Sequence, residues 1–543
     1  MTSKKDTYYI GRAAESFDRV QWFQKYESLE KCFSFPTVES FLKYAKNHQI
    51  VDVEYVEVMN NGLSLKYCPS ILEDLESYVS EAEIPKLKLY ELDFDQLKRL
   101  EASNKEVESI DTLFIKYKDF ELDLIDKYHV KSLNLKVTQN TDFAKLKDIE
   151  IPISLILGPS VKADGLPTNL ESLEITTKKN SINFDFSNLE GLKTLKLTAS
   201  KCQISLPSNL QRLEIKAFQI LNEDISKVFP ASLKYLSLSS VSVPEGFELP
   251  PALEEIECLG TDIRFKYPSS IKKAKFDLCY ASMGSPGELP DSLEEIIFSD
   301  HGAPLPTVSS LSNLKKLRIE YLGMPSCETE GTEVILPENL ETFESNDFNV
   351  KYIFNDKLVS ISLGCMSRSK TVEKNNFPSD LKYLHVSDCS YMQLQNLPPK
   401  LQLLAIEDGT QSASFTVNLP TSLKMLLLTS SYIDDIVLSE GLKYMYIANG
   451  GKTDGVLLKK LPETLEILTL YNIFLDGDSI DLSESNITEL HLNRMDKYRI
   501  ELPKSIQLIQ TPVDSQESLD NLDLTNISEI TIVKGKSPSK AHR

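Results

Sequence analysis

Leu461-Pro462-Glu463-Thr464-Leu465-Glu466-Ile467-Leu468-Thr469-Leu470 decides the reading of this chain, because its skeleton, Leu-Pro-x-x-Leu-x-x-Leu-x-Ile/Leu, returns along the sequence. The skeleton stands at Leu166-Pro167 with Leu170, Leu173 and Ile175, at Leu206-Pro207 with Leu210, Leu213 and Ile215, and at Leu419-Pro420 with Leu423, Leu426 and Leu428. An aromatic residue replaces the first Leu in Phe229-Pro230, Tyr267-Pro268 and Phe377-Pro378. Numbered by the residue that opens the Leu-x-x-Leu core, turns fall at 170, 192, 210, 233, 253, 271, 293, 314, 340, 358, 381, 401, 423, 442, 465, 487, 506 and 527. The intervals run from 18 to 26 and average 21, since 357 residues separate 17 steps. Self-similarity of this regularity marks a stacked repeat array. Looser turns at Ile84, Leu97, Ile110, Val130 and Leu146 carry the array back to about residue 84.

Counting from the opening residue, positions +3 and +5 share one face of a short strand, while +2, +4 and +6 share the other. The uniform leucines mark the first face as core. Stacked turns then form a parallel ladder at roughly 4.8 Å per strand, about 85 Å of contour for eighteen turns, and each turn buries its leucines only against its neighbours. Proline after the first Leu has a fixed φ and no N–H, which suits an extended return segment better than a helix. A period near 21 leaves little room for a helix on the return side. The expected fold is a mainly β solenoid, a horseshoe or arc with a parallel strand ladder and a mostly non-helical convex side.

The pattern resembles the leucine-rich repeat superfamily, in the short Leu-Pro form of the FNIP repeats and of bacterial Leu-Pro effector repeats, over residues 84 to 533. The resemblance implies the solenoid fold and is nearly silent on function. Two departures stand out. The usual repeat has Asn eight residues after the opening Leu, whereas that column here holds Lys178, Ser200, Phe218, Val241, Thr261 and Cys279, so hydrogen bonding between turns must differ. Leu-Pro effectors that are ubiquitin ligases have a separate catalytic domain after their repeats; here Lys534 to Arg543 follow, so that activity is not carried over.

A chain of 543 residues with 41% hydrophobic content, spread evenly, fits an array better than a string of separate globular cores. Its net charge of −21 opposes nucleic acid and anionic lipid and steers a basic partner inward; it also keeps a long protein soluble. The start of the sequence has no apolar segment of the signal type, and eighteen apolar residues never run together. A soluble, unsecreted, cytoplasmic protein is expected. On that expectation the sequons Asn486-Ile487-Thr488 and Asn526-Ile527-Ser528 are not used. The eight cysteines include no Cys-x-x-Cys pair, so neither a disulfide framework nor a zinc cluster is expected.

Residues 1–83 lack the repeat and hold two helix-like stretches, Val38 to Asn47 and Ile71 to Ala82, consistent with a small helical cap over the first turn; Trp22 belongs to that cap. An F-box-like adaptor module is the alternative, from Phe35-Pro36-Thr37-Val38-Glu39-Ser40-Phe41-Leu42, and implies a substrate receptor of a ubiquitin ligase. Residues 534–543 read as a basic disordered tail. Phosphate-loop, dinucleotide, His-Glu-x-x-His and Gly-x-Ser-x-Gly motifs are absent, so neither enzymatic activity, metal nor cofactor is expected. His385 and His491, both at +4, belong to distant turns and cannot share a metal.

Function is therefore sought on the outward columns +2 and +4. In the nine turns from 170 to 340, twelve of these eighteen residues are charged: Glu174, Lys196, Arg212, Glu214, Glu255, Glu257, Lys273, Lys275, Glu295, Lys316, Arg318 and Glu344. Arg212, Lys273, Lys275, Lys316 and Arg318 are expected to supply charged recognition. From 358 to 527 only Glu489 and Glu529 are charged. Tyr383, Leu403, Met425, Tyr444 and Ile467 occupy one column over five successive turns, an apolar stripe roughly 20 Å long at the ladder spacing. Together with His385, Leu427, Tyr446 and Tyr471 they are the expected partner-binding residues. The chain is thus expected to be a non-catalytic intracellular scaffold that binds an unidentified protein on its outward strand face.

Overall fold

The computed structural model describes residues 8–10, 33–35, 56–60, 63–67, 87–102 and, with breaks in the connecting segments, 107–512, 522–523 and 531–535. The chain divides into two compact units: Met1–Ile115 with Asp119–Leu133 and Lys424–Arg543, and Lys116–Lys118 with Asn134–Leu423.

In the second unit, short strands stack in parallel, each in register with the next: Leu170–Thr176, Thr194–Ser205, Arg212–Ile220, Tyr235–Ser239, Glu255–Leu259, Lys273–Asp277, Glu295–Ser299, Lys316–Glu320, Thr342–Ser345, Ser360–Leu363, Tyr383–Ser387 and Leu403–Glu407. Positions 0, +3 and +5 are the core. Leu210, Leu213, Leu233, Leu236 and Leu238 have no exposed surface, and Phe276 and Phe298 stack one step apart at +5, ring centres 5.5 Å distant. Each such side chain contributes about 1.5–3 kcal/mol on burial, and only the next turn can bury it. The opposite wall has short second ladders, Ile182–Asp185 with Cys202–Ser205 and Glu333–Ile335 with Lys351–Ile353, and is largely non-helical as expected.

The first unit repeats the pattern through Met425–Thr429, Tyr444–Ala448, Ile467–Tyr471, Glu489–Asn493, Leu508–Pro512 and Thr531–Gly535. In its amino-terminal part Tyr8–Ile10 pairs in parallel with Phe33–Phe35 and Val56–Asn60, and Val56–Asn60 turns back on Leu63–Tyr67. Tyr67 then pairs with Leu89, so sheet pairing runs across the boundary placed at residue 83. The helix-like stretches 38–47 and 71–82, Trp22, Pro36–Leu42, Ile84 and 536–543 lie outside the described residues.

Two of the looser turns are corrected. Leu97 lies in a helix, Phe94–Ala102, and is buried there with Leu100; a Leu-x-x-Leu spacing serves one helix face as well as it serves a strand. Leu146 ends a 3-10 turn, and in the strand Ile153–Leu157 that follows Ile153 pairs with Leu170 and, past a register shift, Leu155 and Leu157 pair with Leu173 and Ile175. The turn therefore opens at Ile153.

Three local devices convert the repeat into the ladder. First, the opening Leu N–H donates to the carbonyl three residues earlier, as in Leu233 to Pro230 at 3.1 Å and Leu465 to Pro462 at 3.0 Å. The proline thus begins a tight turn, where its missing donor costs nothing. Second, the residue just before the opening Leu is often Ser, Thr or Asn and reaches back to the preceding turn. Ser232 Oγ lies 2.6 Å and 2.7 Å from the Ser208 and Leu210 carbonyls; Ser270, Thr464 and Ser505 repeat this, and Asn313, Asn339 and Asn486 donate their amides likewise. The polar ladder missing at +8 stands at −1. At five described turns +8 is core, with Val241, Thr261, Cys389, Ile473 and Met495 buried, while Ser200 is exposed; Thr261 keeps a polar role, accepting the Val241 N–H at 3.1 Å.

Third, +7 turns the chain off the sheet in the left-handed region, at Ser240, Gly260, Asp388, Asp408, Asn472 and Arg494, with φ between 48° and 57°. Small, Asx-type and glycine residues predominate because a Cβ is disfavoured there. Gly260→Ala, whose new methyl would meet nothing nearer than Ser240 Oγ at 3.8 Å, is expected to cost roughly 1–2 kcal/mol from φ alone. Thr464→Val is expected to cost about 1 kcal/mol by loss of its ladder bond. Urea unfolding of each variant checks both values.

Candidate functional site

The outward columns differ between the two units. In the second unit the charged columns are largely self-paired. Glu214 is met by Lys196 Nζ at 3.0 Å and Arg212 at 2.9 Å, and Glu295 by Lys316 at 3.0 Å and Lys273 at 3.5 Å. Arg318 pairs with Glu320, and with Glu344 at 3.5 Å. The Arg212 guanidinium lies 3.4 Å from the Tyr235 ring centre, and the Tyr235 phenol, hydrogen-bonded to Glu257, is pushed upward by burial first and by that bond second. Lys275 is half-buried, in register with Glu257 and Ile297. The twelve charged face residues comprise six acids and six bases, so this face is balanced and the chain's excess acidity lies elsewhere. At +1, Lys193–Glu171, Lys234–Glu254 and Lys315–Glu341 join successive turns at 2.6, 3.4 and 3.6 Å. Solvent-exposed pairs of this kind are worth at most about 1 kcal/mol each; alternating sign disfavours a slipped register more than it adds stability.

Tyr383, His385 and Leu403 also belong to the second unit. Tyr383 and His385 are half-buried, and Ser362 Oγ lies 2.8 Å from His385 Nδ1 while Glu407 Oε2 lies 3.8 Å from Nε2. Leu403 is fully buried. Ser362, His385 and Glu407 come from three successive strands of one face.

In the first unit Leu427, Tyr444, Tyr446, Ile467 and Tyr471 are half-buried on three successive strands, and Met425 is only 4% exposed. Leu403 and Met425 were expected as surface contacts; each is instead buried within its own unit, because side chains one ladder step apart are close enough for larger neighbours to screen smaller ones. Register places Tyr444, Ile467 and Glu489 in one row and Tyr446, Thr469 and His491 in the next. The Tyr444 hydroxyl lies 3.4 Å from Thr469 Oγ1, and its phenol is raised by burial and by the charges of Tyr446 and Glu489. Glu489 has a side chain only 5% exposed, with His491 Nε2 3.8 Å from its carboxylate. Glu489 was legible as the one charged +2 residue of the turns from 423 to 487, but its burial was not.

Three solved structures show how such an array compares with known proteins. CroV588, a circular leucine-rich-repeat protein, aligns over 78% of this chain and 79% of its own at 16% identity, with a TM-score of 0.45. YopM from Yersinia enterocolitica aligns over 79% and 86% at 15% identity and 0.33, and the leucine-rich repeat domain of APL1B over 82% and 99% at 13% identity and 0.16. The fold of this chain is a parallel β-solenoid of repeated turns, shown by its own ladder. No protein-family model and no curated protein matches the sequence.

Among the described residues of the repeat solenoid, no group of three or more His, Cys, Asp or Glu is placed to hold a metal, and no helix is long and apolar enough to cross a membrane. Cys202, Cys258 and Cys389 are buried. Burial pushes the Cys202 thiol up to about 11 and, with the Asp388 charge, the Cys389 thiol up to about 12. The reactive species is the thiolate. Iodoacetamide near pH 8 is therefore expected to leave Cys202 and Cys389 unmodified in the folded chain and to alkylate both in denaturant, as read by peptide mass spectrometry.

Proposed function

We propose that this leucine-rich-repeat solenoid is a non-catalytic intracellular scaffold that holds a partner protein on the strand face of its Lys424–Arg543 segment. The observation that carries this reading is the half-exposed group Leu427, Tyr444, Tyr446, Ile467 and Tyr471 on three strands in strict register. Directly beneath it, Leu426, Leu428, Met445, Ile447, Leu468 and Leu470 are fully buried. Tyrosine on an immobile backing presents large amphipathic area with little entropy left to lose, the composition and rigidity typical of interface hot spots. The cations Arg212, Lys273, Lys275, Lys316 and Arg318, set among six acids of the same face, form a polar surface of the second unit.

Full-length protein, immobilised and exposed to lysate of its own cells, is expected to retain a partner. Tyr446→Ala and Tyr471→Ala should each weaken retention by about thirtyfold, the effect of losing about 2 kcal/mol at a hot spot, with unchanged thermal unfolding. Equal retention by both variants sinks the proposal.

A further inference from the structure

We propose that the repeat-free amino-terminal strands are a detachable clasp on the carboxy-terminal end of the ladder. Within the first unit Phe33–Phe35 lies against Thr531–Gly535; it closes the edge of that strand and comes away before the repeat turns unfold. The clasp acts on a strand edge and not on the tyrosine face.

A strand at the end of a ladder presents a row of open N–H and C=O groups and one uncovered side of its core. Thr531–Gly535 has a neighbour from the repeat, Leu508–Pro512, in parallel register over its whole length. Against it, in the same sheet and the same unit, lies Phe33–Phe35 from the opposite end of the sequence. The sheet continues from Phe33–Phe35 to Tyr8–Ile10 and Val56–Asn60, all parallel, and then through the antiparallel Leu63–Tyr67 to Leu89. Leu89 belongs to Leu87–Asp93, which pairs in parallel with Val107–Lys116. The amino-terminal strands therefore reach from the last described strand of the unit to the first strands of the array.

The sequence of this segment fits that place. Tyr8-x-Ile10, Phe33-x-Phe35 and Val56-x-Val58 each set apolar residues two apart, the spacing of +3 and +5 in the repeat. Register puts Tyr8, Phe33 and Val56 in one row and Ile10, Phe35 and Val58 in another, so the columns of the ladder are extended without its Leu-Pro turns. The strand order is unlike the repeat's. Tyr8–Ile10 stands between Phe33–Phe35 and Val56–Asn60, so Phe33–Phe35 is laid in by a crossover and can leave Thr531–Gly535 without undoing a repeat turn. It is also the weaker element: Tyr8–Ile10 and Phe33–Phe35 are 3 residues long, against 5 in Leu508–Pro512 and Thr531–Gly535. With fewer ladder bonds to break, it opens first.

Hydrogen–deuterium exchange of the full chain, read by peptide mass spectrometry, tests both the contact and its release. In the unaltered chain Phe33–Phe35 is expected to exchange about tenfold faster than Glu489–Asn493, with Thr531–Gly535 between them. Equal rates at Phe33–Phe35 and Glu489–Asn493 would make the segment a permanent part of the ladder and overturn its release. Ser34→Pro removes an N–H and the extended φ from the middle of the strand. It is expected to raise exchange at Thr531–Gly535 about tenfold and to leave Arg212–Ile220 of the second unit unchanged; unchanged exchange at Thr531–Gly535 overturns the clasp. Should Ser34→Pro raise exchange throughout the chain, Ser34→Lys decides in its place. A short amine-reactive crosslinker is then expected to join position 34 to Lys534, which lies in Thr531–Gly535, and failure to join them in the folded chain overturns the contact.

Discussion

The leucines of one turn cannot be buried by that turn, and everything else in the molecule depends on this constraint. A strand of five residues with two inward apolar positions, preceded by the opening Leu, has no core of its own; it acquires one only when the next strand is laid against it a ladder step away. Register must then hold from turn to turn, since a slip of one residue would send Leu213 or Leu468 to the outward face and Glu214 or Thr469 into the core. The uniform burial of 0, +3 and +5 is the thermodynamic reason for the fold, and the remaining features keep the strands at the spacing it requires.

Those features act at the two ends of each strand. At the entry, a Pro-x-x-Leu turn and a Ser, Thr or Asn at −1 satisfy carbonyls of the preceding turn that the ladder leaves open. At the exit, a left-handed residue at +7 turns the chain away, and its N–H rejoins the ladder, as Ser240 to Leu259 at 2.7 Å and Asp388 to Glu407 at 2.8 Å. The usual Asn column is therefore dispensable: the bonds between turns are made one residue before the opening Leu, and +8 is released to the core where it is buried. Thr261 shows the intermediate case, a buried hydroxyl still bonding between turns.

With the inner face committed to packing and the ends to hydrogen bonding, the outward columns are the positions at which the sequence is free to vary. They are used in two ways. From Lys196 to Glu344 they are filled with opposite charges that satisfy one another, an arrangement that guards register and solubility at little net energy. From Tyr444 to Tyr471 they hold tyrosines and aliphatics over a dry floor, with one acid drawn in among them. Binding specificity in such a protein is a matter of column composition, set independently of the leucines that set the fold.

The Leu-Pro-x-x-Leu-x-x-Leu-x-Ile period determined the parallel ladder, the core positions and the outward columns by itself, because burial by neighbours acts on every turn alike and repeats in the sequence. Loose matches fared worse: Leu97 and Leu146 satisfy the spacing but sit in a helix and a 3-10 turn, since three-residue spacing alone does not separate one helical face from a strand with its preceding turn. The −1 polar ladder was present in the sequence as a column of Ser, Thr and Asn, yet its role is visible only where those side chains meet carbonyls about twenty residues earlier. Depth within a column is likewise a property of neighbours. Leu403 and Met425 have the same outward parity as Tyr446, but their exposure depends on the size of what stands one ladder step away, and that only the tertiary structure decided.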